Sequence, residues 1–206
     1  MKVIKIATYE FEELSGDSKK RAIANYRDND YSFDFDCETT EVKGMLETLG
    51  FDNVNISYDL SCSQGSGACF DFKGLDIVKL ITPLESDSIF YTLQKDFLEV
   101  NKVLLKSVAR AKDILDISTS TVNHHYCHSK SRIVNIDANY NNCNIYKAIE
   151  NIRFNFEDAL GAFYISLCDE LYKYLSDIND SYSSDEYIIE NIKDNDITFL
   201  ANGKVF

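Results

Sequence analysis

Residues 54–73 read Val-Asn-Ile-Ser-Tyr-Asp-Leu-Ser-Cys-Ser-Gln-Gly-Ser-Gly-Ala-Cys-Phe-Asp-Phe-Lys, and this stretch decides the fold. Apolar residues alternate along both of its ends, at Val54, Ile56, Tyr58 and Leu60 and then at Phe70 and Phe72. Such alternation is typical of strands, because successive side chains of a strand point to opposite faces. The two glycines between the runs favour a tight turn. The sequence therefore predicts a β-hairpin over about 53–73, with positive φ at Gly65 or Gly67.

Two long segments outside the hairpin have the apolar spacing of amphipathic helices, one over residues 90–111 and one over residues 149–178. Strands are predicted at 116–126 and 130–140, and a further hairpin at Asn202-Gly203. The predicted fold class is therefore α+β, with a mostly antiparallel sheet of about six short strands packed against two long amphipathic helices.

The composition favours one continuous domain over residues 1–206. The chain is 45% hydrophobic, which is enough for a core, and it has one proline and eight glycines, which leaves no proline- or glycine-rich linker.

The negative charge is concentrated near the end of the chain. The net charge is -13, and residues 150–196 hold twelve Asp and Glu against three Lys and Arg. This segment should repel nucleic-acid phosphates and attract a basic protein surface, although acidity also serves solubility. The candidate binding acids are Glu157, Asp158, Asp169 and Glu170.

The N-terminal residues Met1 to Ala7 are too short and too quickly polar for a signal peptide, and no apolar run reaches the length of a membrane span. A cytoplasmic protein is expected, with no membrane contact. Its six cysteines should then be reduced and mostly buried. They stand at positions 37, 62, 69, 127, 143 and 168. Since no Cys-x-x-Cys pair occurs and the three histidines of the chain are close together in sequence, no stoichiometric metal is predicted. No cofactor is predicted either.

The most polar candidate sites are the glycine-rich turn and a histidine cluster. All three histidines lie in Asn123-His124-His125-Tyr126-Cys127-His128; on a strand, His124, Tyr126 and His128 would share one face. The candidate binding residues are His124, His125 and Tyr126 here, and Ser63, Gln64, Gly65 and Gly67 in the turn. The turn could be structural, contact a ligand, or hold a nucleophile if a histidine comes within hydrogen-bond reach. No catalytic residue is assigned.

Several short motifs resemble an uncharacterised phage and prophage protein family. Tyr9-Glu10-Phe11-Glu12-Glu13-Leu14-Ser15 is similar to that family's Phe-x-Glu-Leu-Ser start. Ser63-Gln64-Gly65-Ser66-Gly67-Ala68-Cys69-Phe70 resembles its Ser-Gln-Gly-Asp-Gly-Ala-x-Phe turn, with Ser66 in place of the usual Asp. The histidine cluster and the acidic helix follow in the same order.

The resemblance implies a phage-borne accessory protein of the bacterial cytoplasm and implies no reaction. Together with the acidity, it leads to the hypothesis of a protein that binds and inhibits a host or defence protein with a basic surface. Anti-CRISPR proteins, some of which present acids where a nucleic acid would bind, are an analogy. The alternatives are a small enzyme using the turn and the histidines, or an antitoxin-like binder. Oligomeric state and partner identity are left open.

Overall fold

A computed structural model describes residues 6–29, 33–61, 63–139 and 146–206. Within them the chain is α+β, as predicted, with antiparallel strand pairs. The helices are α1 (Gly16–Asn29), α2 (Asp36–Thr48), α3 (Ile77–Leu80), α4 (Tyr91–Val100), α5 (Lys102–Ala111), α6 (Tyr146–Tyr182) and α7 (Asp185–Asp194). The strands are β1 (Phe51–Asp52), β2 (Asn55–Asp59), β3 (Gly67–Asp71), β4 (Gly74–Leu75), β5 (Leu115–Thr121) and β6 (Arg132–Ala138).

The contacts divide the chain into two compact units. We call residues 36–176 the central unit; residues 1–35 and 177–206 together form the terminal unit. The composition predicted one continuous domain over 1–206. That the two units unfold together, as one domain would, stays a prediction.

The terminal unit joins both ends of the sequence around a small apolar core. Tyr9 and Phe199 form an antiparallel bridge, and the Phe11 and Phe199 rings meet edge to face at 6.3 Å. The hairpin predicted at Asn202-Gly203 is confirmed, because Phe199 bridges Val205 and Gly203 takes a φ of +83°. The other buried core residues are Leu14, Ala22, Ile23, Tyr26, Ile188 and Ile192.

The central unit contains the three strand pairs β1–β4, β2–β3 and β5–β6. The predicted hairpin over 53–73 is confirmed: β2 pairs antiparallel with β3 from Asn55–Asp71 to Asp59–Gly67, and Gly67 has a φ of +155°. Phe72, which directly follows β3, is joined to Thr119 of β5 by three hydrogen bonds. The Phe72 carbonyl accepts from the Thr119 N–H at 3.1 Å and from its hydroxyl at 3.3 Å, and the Phe72 N–H donates to the Thr119 hydroxyl oxygen at 2.9 Å. The glycine-rich turn and the histidine cluster therefore lie on neighbouring strand pairs.

Helix α6 packs on β3 through an aromatic cluster. Phe51, Phe70, Phe72 and Tyr164 are all buried, with the Phe51 and Phe72 rings 4.8 Å apart and the Phe70 and Tyr164 rings also 4.8 Å apart. The Tyr164 hydroxyl donates to the Phe70 carbonyl at 2.7 Å and accepts from the Phe70 N–H at 3.3 Å. A buried hydroxyl thereby satisfies both backbone groups of one strand residue, as burial requires.

Two sequence predictions are wrong in detail. The single helix predicted over 90–111 is interrupted at Asn101, whose side-chain amide donates to the Phe97 carbonyl at 3.0 Å. Asparagine competes with the helical backbone in this way. The result is two ten-residue helices, and Val100, predicted to be buried, is 83% exposed.

The second error concerns the histidines. Residues 122–128 form an irregular connection between β5 and β6 instead of a strand end, so the predicted alternation of His124, Tyr126 and His128 on one face does not exist. The Asn123 side chain accepts a hydrogen bond from the His125 N–H at 2.9 Å, which is an Asx turn and starts the loop.

Candidate functional site

The glycine-rich turn and the histidine loop lie directly against each other. The Gly65 carbonyl accepts a hydrogen bond from the Cys127 N–H at 3.1 Å. A Cβ atom at Gly67 would lie 2.5 Å from the Cα of His128, and one at Gly65 would lie 2.4 Å from the Tyr126 ring. Side chains cannot occupy those positions unless the loop moves. The two glycines are thus explained by the close approach of the loop.

The serines of the turn hydrogen-bond within the turn itself. The Ser63 N–H donates to the Ser66 Oγ at 2.7 Å, and the Ser63 hydroxyl donates to the Asp59 carboxylate at 3.3 Å. Hydrogen bonds from the Ser61 side chain and N–H lower the pKa of Asp59, so this carboxylate stays ionised as an acceptor. Gln64 is exposed.

This arrangement stabilises a turn and does not by itself form a catalytic set. A serine nucleophile needs a base in hydrogen-bond reach, and in the described chain neither Ser63 nor Ser66 hydrogen-bonds a histidine. His124 and His125 are exposed side chains of the loop. The sequence left open whether the glycine-rich turn is structural, contacts a ligand or holds a nucleophile. The geometry supports the structural role.

His128, which the sequence did not single out as a binding residue, is the most embedded histidine. Its ring lies beside the Tyr126 ring, with centroids 5.4 Å apart, and its carbonyl accepts from the Ser131 hydroxyl at 2.6 Å. Its Nδ1 is buried and has no hydrogen-bond partner among the described residues. No local sequence pattern could have identified His128, because its position depends on the contact with Gly67 across 61 residues.

The cysteines beneath the turn are held as thiols. Cys69 and Cys168 are buried, and burial raises the pKa of both, to about 12 for Cys168. The Ser131 hydroxyl donates to the Cys69 Sγ at 3.7 Å. Cys37, by contrast, is exposed. Cys62 and Cys143 lie outside the described residues, so a pairing of Cys62 with Cys69 across the turn has no structural description.

Within the described ranges, no three His, Cys, Asp or Glu side chains are arranged to hold a metal ion. Whether the purified protein is free of stoichiometric metal stays a prediction.

The four candidate acids of α6 fall into two pairs. Glu157 lies 3.3 Å from Arg153, and Glu170 lies 3.7 Å from Lys173, so these two charges are partly neutralised. Asp158 and Asp169 are exposed, and neither forms a salt bridge with another described residue. They are eleven residues apart, which is about three turns and about 16 Å, and this places them on one helix face.

An apolar groove runs beside Asp158 and Asp169, between α4 and α6. Its volume is about 460 Å³, and the stacked rings of Phe97 and Phe163, 4.3 Å apart, contribute to its lining. Its other lining residues are Leu93, Asp96, Val100, Asn101, Ala159, Ala162 and Ser166. Asp158 stands one helical turn before Ala162 and Asp169 two turns after it, while Asp96 lies on α4. We call this feature the acidic groove.

The family described as a domain of unknown function, DUF8835, matches residues 34–185. The chain belongs to this family. The DUF8835 match includes the whole central unit, and with it the turn, the histidine loop and the acidic groove. The Tyr9–Ser15 motif lies outside the matched range. No curated protein and no solved structure matches the chain.

No helix of the described DUF8835 protein is both long enough and apolar enough to cross a membrane. Even α6, with 37 residues, carries charged side chains along its length.

Proposed function

We infer that this DUF8835 protein is a phage- or prophage-encoded accessory protein that binds and inhibits a host or defence protein in the bacterial cytoplasm. The observation that carries the binding role is the acidic groove. There, two exposed aspartates on one face of α6, with no salt bridge to another described residue, lie beside an apolar surface on α4 and α6. The phage origin and the inhibitory outcome, of the anti-CRISPR or another anti-defence type, rest on the resemblance of the sequence motifs.

The chemistry of the acidic groove fits a basic protein surface. Val100 is 83% exposed and offers apolar area for burial, which supplies affinity. Asp96 lines the groove, and Asp158 and Asp169 lie beside it on α6. These exposed carboxylates would attract lysine and arginine side chains and fix the orientation of the partner. A partner that normally binds nucleic acid carries such a basic surface. If that surface bound the acidic groove, it could no longer bind the nucleic acid.

The test compares two double variants on the same helix. The partner is first identified by affinity capture from phage-carrying bacteria and then purified. Asp158→Asn with Asp169→Asn removes the two unpaired charges, and we expect binding to weaken about five- to tenfold. Glu157→Gln with Glu170→Gln removes the same formal charge from residues that already have cationic neighbours. It should change the affinity less than about twofold. Isothermal titration calorimetry measures both.

Higher salt should weaken binding of the unaltered protein and have less effect on the Asp158 and Asp169 variant, because screening acts on exposed charges. Equal effects of the two double variants would contradict the role of the acidic groove. The enzyme alternative would be favoured by a different outcome. In that outcome, Ser63→Ala or His125→Ala abolishes inhibition of the partner, while both double variants of α6 still inhibit it.

A further inference from the structure

A second groove of the central unit has the opposite charge. It lies along the outer face of α5, has a volume of about 680 Å³, and shares no lining residue with the acidic groove. Its lining residues are Ile81, Leu98, Glu99, Lys102, Leu105, Lys106, Ala109 and Arg110. The aliphatic side chains give it an apolar surface, and three of its eight residues are cationic. We call it the basic groove.

The three cations form a regular row. Lys102, Lys106 and Arg110 are spaced four residues apart, so they lie on one face of α5 over about 12 Å. All three are exposed, and none forms a salt bridge with another residue of the described ranges. Glu99 is one acid beside the row. Such a row is unexpected on a chain of net charge -13.

We propose that the basic groove binds an acidic amphipathic helix of another protein. The apolar residues of that helix would pack against the accessible surfaces of Ile81, Leu98 and Ala109. Carboxylates on its flank would pair with Lys102, Lys106 and Arg110. Docking of an amphipathic helix into an apolar groove is a recurrent recognition mode, with anchors three and four residues apart. The affinity comes from the apolar contact, and the charges determine orientation and association rate.

The charge of the whole molecule favours a peptide segment over an extended anionic surface. A helix docked in the groove senses mainly charges within about 10 Å, which is the Debye length near 0.1 M salt. A nucleic acid or an anionic membrane extends well beyond the groove and would be repelled by the net charge of -13 of the chain. The proposal is independent of the proposed function, because it concerns a different groove and a partner of opposite charge.

The experiment begins with selection from a display library of random helical peptides of about 16 residues against the full chain, since much shorter helices are marginal in water. We expect the selected peptides to be acidic, with apolar residues three and four positions apart. One selected peptide, labelled with fluorescein, is then titrated by fluorescence anisotropy. We expect Lys102→Glu with Lys106→Glu to weaken its binding at least about tenfold, and salt to weaken it in the unaltered protein.

Two further variants separate the groove from general charge attraction. Lys73→Glu with Lys130→Glu makes the same charge change at exposed residues that do not line the groove, and it should leave binding within about twofold. Ala109→Arg adds a positive charge but fills the groove. It should weaken binding if the apolar surface is used and strengthen it if charge alone acts. Circular dichroism verifies that each variant is folded.

Four outcomes would overturn the proposal. The first is recovery of no peptides or of peptides without net negative charge. The second is equal weakening by the two lysine pairs. The third is binding of phosphatidylglycerol vesicles that depends on Lys102 and Lys106 and is stronger than peptide binding, which would make a lipid surface the partner. The fourth is a concentration-dependent dimer, seen by sedimentation and abolished by Lys102→Glu with Lys106→Glu, which would make a second copy the occupant.

Discussion

Because Gly67 has a hydrogen atom where every other residue has a Cβ, β3 can pass close to the backbone of His128. Any larger residue would place a Cβ 2.5 Å from the His128 Cα, and backbone atoms cannot move aside as the end of a side chain can. The φ of +155° adds strain for any other residue. Packing therefore requires glycine at position 67 of the Ser63–Phe70 motif, independently of any other role of the turn.

We expect Gly67→Ala to lower the free energy of unfolding by about 2–3 kcal/mol, through the overlap with His128 and the unfavourable φ. Urea unfolding followed by circular dichroism measures the change. Gly44→Ala is the matched control, because Gly44 lies inside α2 and a Cβ there meets nothing within 4 Å. That change should stabilise the protein by about 0.5–1 kcal/mol. A neutral effect of Gly67→Ala would show that the histidine loop yields easily.

At the scale of elements, α6 is attached to β3 by the Tyr164 hydroxyl, which serves both backbone groups of Phe70. The pKa of Tyr164 is raised far above that of a free tyrosine. Burial is the largest cause, and the neighbouring Cys168 is the next. The folded protein thus keeps this proton at pH values where the unfolded chain, with an ordinary pKa of about 10, loses it. The stability contributed by the neutral hydroxyl is fully present below about pH 10 and falls as the pH rises above it.

We expect Tyr164→Phe to lower the free energy of unfolding by about 1–3 kcal/mol at neutral pH, because the Phe70 N–H and C=O lose their partner in a buried position. Above about pH 10 the variant should lose stability less steeply than the unaltered protein, by up to about 1.4 kcal/mol per pH unit. Urea midpoints measured from about pH 7 to pH 11 test both statements. Tyr174→Phe is a control, since its hydroxyl contacts Glu41 at the exposed side of the unit. Parallel pH profiles for the Tyr164 variant and the unaltered protein would contradict the assigned role.

The elements themselves were predictable where the determinants are local. Asp76 accepts hydrogen bonds from Val78 and Lys79 at the start of α3, and Ser184 accepts one from Tyr187 at the start of α7, as short polar residues before apolar runs indicate. The break at Asn101 was not predictable in the same way, because Asn is tolerated inside many helices and the apolar spacing continues through it.

The candidate sites were less predictable than the elements. The contacts of Gly65 and Gly67 with Tyr126 and His128 join segments about sixty residues apart. The spacing of residues within either segment gives no indication of these contacts. The division of the α6 acids could have been found, however. Arg153 precedes Glu157 by four residues and Lys173 follows Glu170 by three, which are the spacings of helical ion pairs. The grooves on either side of α4 depend on which helices pack together, so the sequence alone could not define them.

At the scale of the whole molecule, the two compact units pose a question of cooperativity. Phe199 is fully buried in the terminal unit, where its ring meets that of Phe11. Phe199→Ala leaves a cavity, which costs about 3–5 kcal/mol in a core. We expect amide hydrogen exchange in this variant to accelerate in α1 and α7, while β2 and β3 keep their protection. Equal acceleration in both units would instead support the single domain predicted over residues 1–206.

The terminal unit also has a consequence for synthesis of the chain. Phe11 and Phe199 are 188 positions apart, and a ribosome adds roughly 5–20 residues per second, so roughly 10–40 s separate their appearance. During that interval Leu14, Ile23 and Tyr26 have been made, but the residues that cover them have not. A nascent chain in this state presents an apolar helix face of the kind that chaperones bind and that causes aggregation. Expression of this protein should therefore depend on chaperone supply during translation more than its modest size would suggest.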